Sequence, residues 1–141
     1  MKPVAFWDTS VLVTLCIAQA PTPQAILLQH KYRIAVWWGT HVEIVSALAF
    51  SLRRQEISSN EFTQAKMDAD SLARLWTMIA PSAKIALEAR ALLERYPLRA
   101  ADALQLAAAL EWCEGKPKGN VLLTFDKRLR EAAGLAGFTL E

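Results

Sequence analysis

The chain has 141 residues, two cysteines and a formal net charge of +2, with a sequence pI near 8.7. That length corresponds to one domain, 1–141, able to bury a core without disulfides or a structural metal. The small net charge excludes a histone-like protein or a basic tail while still permitting an anionic partner.

Taken in chain order, short apolar runs alternate with longer helical patterns. Before Asp8 the apolar stretch is too short for a signal peptide, and no run approaches the roughly 20 residues of a membrane span. Val4 to Trp7 reads as a first strand and Thr9 to Ala18 as a helix, stopped before the P-T-P at 21–23. Ile34 to Trp38 is a second strand, and Thr40 opens a helix to about Gln55. Ser58, Ser59 and Asn60, with Glu61 following, look like a turn and a new cap, from which a helix runs to about Leu75. Trp76 to Ala80, ended by Pro81, is a weaker strand. Helices follow over Ser82 to Tyr96, broken by Pro97, and over Leu98 to Glu114, ended by Gly115. The G-K-P-K-G-N stretch at 115–120 is a loop. Val121 to Phe125 is a strand, Lys127 to Ala133 a helix with Gly134 as its C-cap, and Phe138 to Leu140 a possible edge strand. None of the strands alternates polar with apolar residues, so both faces of the sheet are covered. The expected architecture is a three-layer α/β/α sandwich around a mainly parallel sheet of four to five strands.

Four acidic residues recur in one local setting, where an apolar segment meets a helix start: Asp8, Glu43, Asp102 and Asp126. Asp8 and Asp126 directly follow strands, and ligand sites in such sheets lie beyond the carboxyl ends of the strands. Helix capping alone accounts for either of them. Glu43 and Asp102 resist that account. Ala47 and Phe50 share the face of Glu43, while Gln105, Leu106 and Ala109 share that of Asp102, so both acids point along mostly apolar helix faces. Two buried acids paired with arginine, Arg99 for one, would be the bland explanation. Four carboxylates converging on one sheet edge would repel, however, and a hard cation such as Mg2+ or Mn2+ resolves that repulsion with oxygen ligands.

The four segments D-T-S-V-L, T-H-V-E-I-V-S-A-L, L-R-A-A-D-A-L-Q-L-A-A-A-L and L-L-T-F-D-K-R-L, in this order and spacing, resemble the four motifs of the PIN domain. The similarity is strongest to the small VapC-type toxins of toxin–antitoxin pairs, and it spans Val4 to Leu140. The resemblance implies a Mg2+- or Mn2+-dependent endoribonuclease, with RNA as substrate, a cognate antitoxin as protein partner and a homodimer as assembly. It also maps the metal-binding, catalytic acids onto Asp8, Glu43, Asp102 and Asp126, and the small hydroxyl residues near them onto Thr9 and Thr124. Thr9 and Thr124 would fix a carboxylate or a water. The other class of reading is a binding protein of the same fold, acting with its antitoxin in a DNA-bound repressor complex with little or no cleavage.

The remaining conspicuous residues divide between surface and core. Lys127 and Arg128 adjoin Asp126 and are the better candidates for RNA phosphates among Arg53, Arg54, Lys116, Lys118 and Arg130; a solvated face is the alternative. Successive strand residues face opposite sides, which assigns at least one of Trp37 and Trp38 to the core and leaves the other as a candidate to stack on a base. Phe62, Ala65, Ala69, Leu72 and Trp76 lie in helical register, with core packing as the default and a partner groove as the alternative. His30 and His41 show no ligand spacing. Cys16 and Cys113, without Cys-x-x-Cys spacing, read as core residues of a reduced, cytoplasmic protein. Neither G-x-G-x-x-G nor a P-loop is present. Ser10 stands where a haloacid-dehalogenase-like phosphatase needs a second Asp, and it has no His–Asp partnership for a serine hydrolase.

Overall fold

The computed structural model describes residues 1–141, and no helix in it is long and apolar enough to cross a membrane. Its sheet is built from β1 (Val4–Trp7), β2 (Arg33–Trp37), β3 (Thr77–Ile79) and β4 (Leu122–Leu123), all parallel, in the order β3-β2-β1-β4. Seven helices connect the strands: α1 (Thr9–Cys16), α2 (Thr22–Lys31), α3 (Thr40–Arg53), α4 (Ser59–Ala73), α5 (Ala83–Arg95), α6 (Ala100–Trp112) and α7 (Lys127–Ala136).

The pleat explains why the strands carry no polar alternation. Ala5 and Trp7 of β1, with Ile34 and Val36 of β2, face a core closed by α1 to α4. Phe6, Ala35 and Trp37 face the opposite core, closed by α5, α6 and α7. Each sheet face is therefore dry, and the result is the three-layer α/β/α sandwich expected. Each buried large side chain contributes about 1.5–3 kcal/mol, and Trp7, Phe6, Leu12, Ile44 and Leu106 are almost completely buried.

Three local features differ from the sequence expectations. The segment after the P-T-P is a helix, α2, because Pro21 and Pro23 sit at its start, where a missing N–H breaks no bond. Helix α7 runs through Gly134 and ends at Gly137, whose φ of 113° makes it the left-handed C-cap. Phe138 to Leu140 supplies only a single parallel bridge, Val121 to Thr139. Phe62, Ala65, Ala69, Leu72 and Trp76 pack into the α1–α4 core, as the default expectation had it, rather than forming an open groove. The capping box at Ser58 and Glu61 forms as expected. Cys16 and Cys113 are half-buried free thiols. Burial, with a smaller contribution from Asp68, pushes the Cys16 thiol up to about 12.

Candidate active site

From β1 the chain reverses direction between its two flanking strands: β2 lies on one side and β4 on the other. Crevices open at such switch points, beyond the strand ends. Asp8 follows β1 there, in extended conformation (φ −77°, ψ 152°), and caps α1. Its Oδ2 accepts from Ser10 Oγ at 2.6 Å, from Thr124 Oγ1 at 2.8 Å and from the Ser10 backbone N–H at 3.4 Å. All three bonds fall on one oxygen, and Oδ1 takes none of them. The pairing of Trp7 with Leu123 brings Thr124 alongside. Thr124 Oγ1 accepts in turn from the Asp126 N–H at 3.0 Å, and Ser10 Oγ accepts from the Phe125 N–H at 2.9 Å. Two hydroxyls thus knit the β1–α1 turn to the β4–α7 turn. Asp126 caps α7 by accepting from the Leu129 N–H at 2.8 Å through Oδ1.

The other two acids arrive from the first turns of α3 and α6. Glu43 Oε1 accepts from Thr9 Oγ1 at 2.9 Å and from Gln105 Nε2 at 3.2 Å. All four acids therefore lie at helix N-termini, whose partial positive charge favours carboxylates. Even so, Asp8, Glu43 and Asp102 are all held above the ordinary carboxylate range. Burial is the largest cause for each; the hydroxyl and amide donors offset part of it for Asp8 and Glu43. Mutual repulsion adds to burial: Asp126 acts on Asp8, Asp8 and Asp102 act on Glu43, and Asp126 and Asp8 act on Asp102. Arg99 pulls Asp102 back only weakly.

Asp8, Glu43, Asp102 and Asp126 line one open cleft of about 630 Å³, together with Thr9, Ser10, Arg53 and Arg99. An adjoining hollow of about 460 Å³ shares Arg99, Asp102 and Asp126 and adds Lys127 and Arg128. No Lys, Arg or His nitrogen comes within 4.0 Å of any of the four carboxylates, so the ion-pair explanation fails, including for Arg99. The acids face one another without being gathered: no three of the chain's Asp, Glu, His or Cys side chains are close enough as they stand to hold a metal ion. The donor set is nonetheless all oxygen and strongly anionic, which suits a hard divalent cation and no softer metal.

The cleft thus brings together the four expected acids with Thr9; Thr124 touches Asp8 from behind, and Lys127 and Arg128 stand at the rim. Ser10 and Gln105, both hydrogen-bonded to the acids, were not anticipated as site residues, nor were Arg53 and Arg99 as part of the cleft wall. Trp37 is buried, whereas Trp38 is 50% exposed. Trp38 does not reach the acidic cleft; it lines an apolar groove of about 720 Å³ with His41, Val42, Val45, Ala49 and Met78, which shares Ser46 and Arg53 with the cleft.

Residues 5–135, nearly the whole chain, match the model of the PIN domain. The chain belongs to the PIN domain family. This PIN domain is 28% identical over 136 residues to Ribonuclease VapC45 and to Ribonuclease VapC49, both of Mycobacterium tuberculosis, over 96% of its own length and 92% of theirs. Among solved structures, it superposes on PAE2754 from Pyrobaculum aerophilum with a TM-score of 0.67 at 20% identity, covering 99% of this chain and 90% of that one. It likewise superposes on VapBC2 from Rickettsia felis bound to a DNA fragment from their promoter, with a TM-score of 0.66 at 15% identity, covering 98% and 97%. At these identities the solved structures speak for the fold.

Proposed function

We propose that this PIN domain is an endoribonuclease dependent on Mg2+ or Mn2+, and the toxin of a type II toxin–antitoxin pair. One observation carries the reading: four carboxylates from four distant stretches of chain line a single cleft with no cation paired to them. The names of the two mycobacterial relatives, both ribonucleases of the VapC kind, support the same chemistry.

Hydrolysis adds water across one P–O bond of the RNA backbone, and the oxygens on phosphorus bear extra negative charge as water attacks. A bound divalent ion would lower the pKa of the water and neutralise that charge. In this reading Asp8 and Asp102 are the principal holding groups, and Asp126 joins directly or through water. Glu43 completes the set or orients the attacking water. Thr124 and Ser10 keep Asp8 turned by its Oδ2, and Thr9 steadies Glu43. Lys127 and Arg128, both exposed beside Asp126, meet flanking phosphates and fix the RNA without reading its sequence.

The apolar groove around Trp38 and Met78 adjoins the acidic cleft and supports a protein partner, a cognate antitoxin whose chain covers both. A homodimer, and function as one domain over residues 1–141, belong to the same proposal. A second reading, a repressor-complex protein with little cleavage, draws on the promoter-bound state of the Rickettsia felis relative.

The test is cleavage of an RNA pool by the purified protein with Mg2+ or Mn2+, beside EDTA and an Asp8→Asn variant. Asn caps helices as well as Asp does, so the variant retains its fold. Cleavage is expected to vanish with chelation and to fall by about 100-fold or more in Asp8→Asn. Activity that survives the substitution sinks the site. Metal binding without cleavage of any RNA moves the weight to the repressor reading.

A further inference from the structure

Gln105 is 1% exposed and sits among buried apolar residues of α6: Ala103, Leu106, Ala107, Ala108 and Ala109. It follows Asp102 by three residues and therefore lies on the same helical face, one turn deeper. Its Nε2 lies 3.1 Å from Thr9 Oγ1, 3.1 Å from Thr40 Oγ1 and 3.2 Å from Glu43 Oε1, so two hydrogens serve three acceptors. Its Oε1 is buried with no partner at all. An orphaned carbonyl of this kind carries an uncompensated desolvation penalty, which an apolar side chain would not incur. Turning the amide over gives no relief, because Oε1 would then face the Glu43 carboxylate oxygen and Nε2 would become the orphan. The amide is thus retained against the preference of the core around it.

Its surroundings indicate the purpose. Thr40, the first residue of α3, is fully buried. Glu43, in the same first turn, is half-buried and would otherwise be free to sample rotamers at the cleft wall. Gln105 joins the two. Thr9 Oγ1 donates to the same Glu43 oxygen, so Oε1 is held from α1 and α6 together, while Oε2 accepts no hydrogen bond within the chain. We infer that Gln105 is a positioning residue: its amide, anchored on Thr40, clamps Glu43 by Oε1 and leaves Oε2 for the cleft. The catalytic consequence rests on the ribonuclease reading above; the clamp does not.

Gln105→Met retains length and volume while removing both amide groups. With Mn2+ and RNA, kcat and Mn2+ affinity are each expected to fall about 10- to 100-fold, as for other groups that orient a ligand, with KM for RNA changed by about twofold at most. The Tm changes little, since loss of the orphaned carbonyl offsets the cost of leaving Thr40 Oγ1 and Glu43 Oε1 without the amide. In a Glu43→Ala background, Gln105→Met lowers Mn2+ affinity by no more than about a further twofold, because its effect runs through Glu43. Unchanged kcat and Mn2+ affinity, an undiminished loss without Glu43, or activity that merely tracks a fallen Tm overturns the inference. If the wild type neither binds Mn2+ nor cuts RNA, the ribonuclease reading fails by itself. Urea unfolding of the four proteins then decides the clamp: coupling of at least about twofold in the unfolding equilibrium constant supports it, and additive effects overturn it.

Discussion

Asp8 and Asp126 act as helix caps and as cleft acids, and the roles are compatible because each cap occupies one carboxylate oxygen. The sequence alone offered capping and catalysis as competing accounts of these residues, and the geometry removes the competition. Ser10 was beyond such a reading. Beside Thr9 in the first turn of a helix it resembles any surface serine, yet its hydroxyl accepts from Phe125, 115 positions away. Gln105 was visible as an uncharged polar residue in an Ala- and Leu-rich helix, but nothing local says that it turns toward Glu43. Ser10→Ala strips one donor from Asp8 and leaves the Phe125 N–H without its partner. The expected cost is about 1–3 kcal/mol in urea unfolding and roughly tenfold in RNA cleavage. Ser10→Thr retains the hydroxyl and should recover most of both. Wild-type stability and rate in Ser10→Ala would dismiss the role given to the hydroxyl.

At the scale of elements, the local pattern places most strands and helices, although the strand expected over Val121 to Phe125 shortens to Leu122–Leu123. The run from Val4 to Trp7 and the one expected over Ile34 to Trp38, observed as Arg33–Trp37, form strands because β-formers without alternation suit a sheet covered on both faces. Errors arose where one residue type serves opposite purposes. The P-T-P that ends a pattern also starts α2, and two glycines near the end of α7 compete for one cap. Gly39 shows a third kind of constraint, invisible in sequence. Its backbone is ordinary right-handed helix (φ −74°), but a Cβ there would lie 2.5 Å from Trp37 Nε1. The buried indole packs against the chain as it enters α3, the helix that carries Thr40 and Glu43. Alanine in an unstrained helical backbone should stabilise by about 0.4–1 kcal/mol. We expect Gly39→Ala instead to destabilise by about 1–3 kcal/mol, because Trp37 or the start of α3 must shift. A Tm at or above that of wild type, with unaltered tryptophan fluorescence, would reject this contact.

For the molecule as a whole, the topology converts four separated acids into one charged cleft, at a cost in folded stability that has a definite pH signature. The convergence of Glu43 and Asp102 depends on how α3 and α6 dock on opposite sides of the sheet, which is why sequence supplied the candidates but not their contacts. Asp8, Glu43 and Asp102 all have carboxyls held above their ordinary values, chiefly by burial and further by neighbouring acids of the cleft, Asp126 among them. A raised acid binds its proton more tightly when folded than when unfolded. These groups therefore leave the fold most stable at low pH, and stability declines as pH rises from the unfolded carboxylate range, about 4, through the higher folded values. Above that window the penalty is complete. In EDTA, the Tm contribution of these acids should accordingly be higher near pH 4, roughly, than near pH 7.5, and the difference should shrink in Asp8→Asn, which cannot ionise at that position. A divalent cation opposes the same repulsion. At neutral pH, Mn2+ at about 100 times its Kd should add roughly 2.7 kcal/mol, on the order of 10 °C in Tm for a chain of this size. The gain should fall as the acids are protonated. An EDTA-treated protein whose Tm is flat across this range, or identical in its slope to Asp8→Asn, would mean that the carboxylates do not burden the fold as their burial implies. A Tm indifferent to Mn2+ at pH 7.5 would remove the cation from the cleft and, with it, the nuclease mechanism built on these four residues.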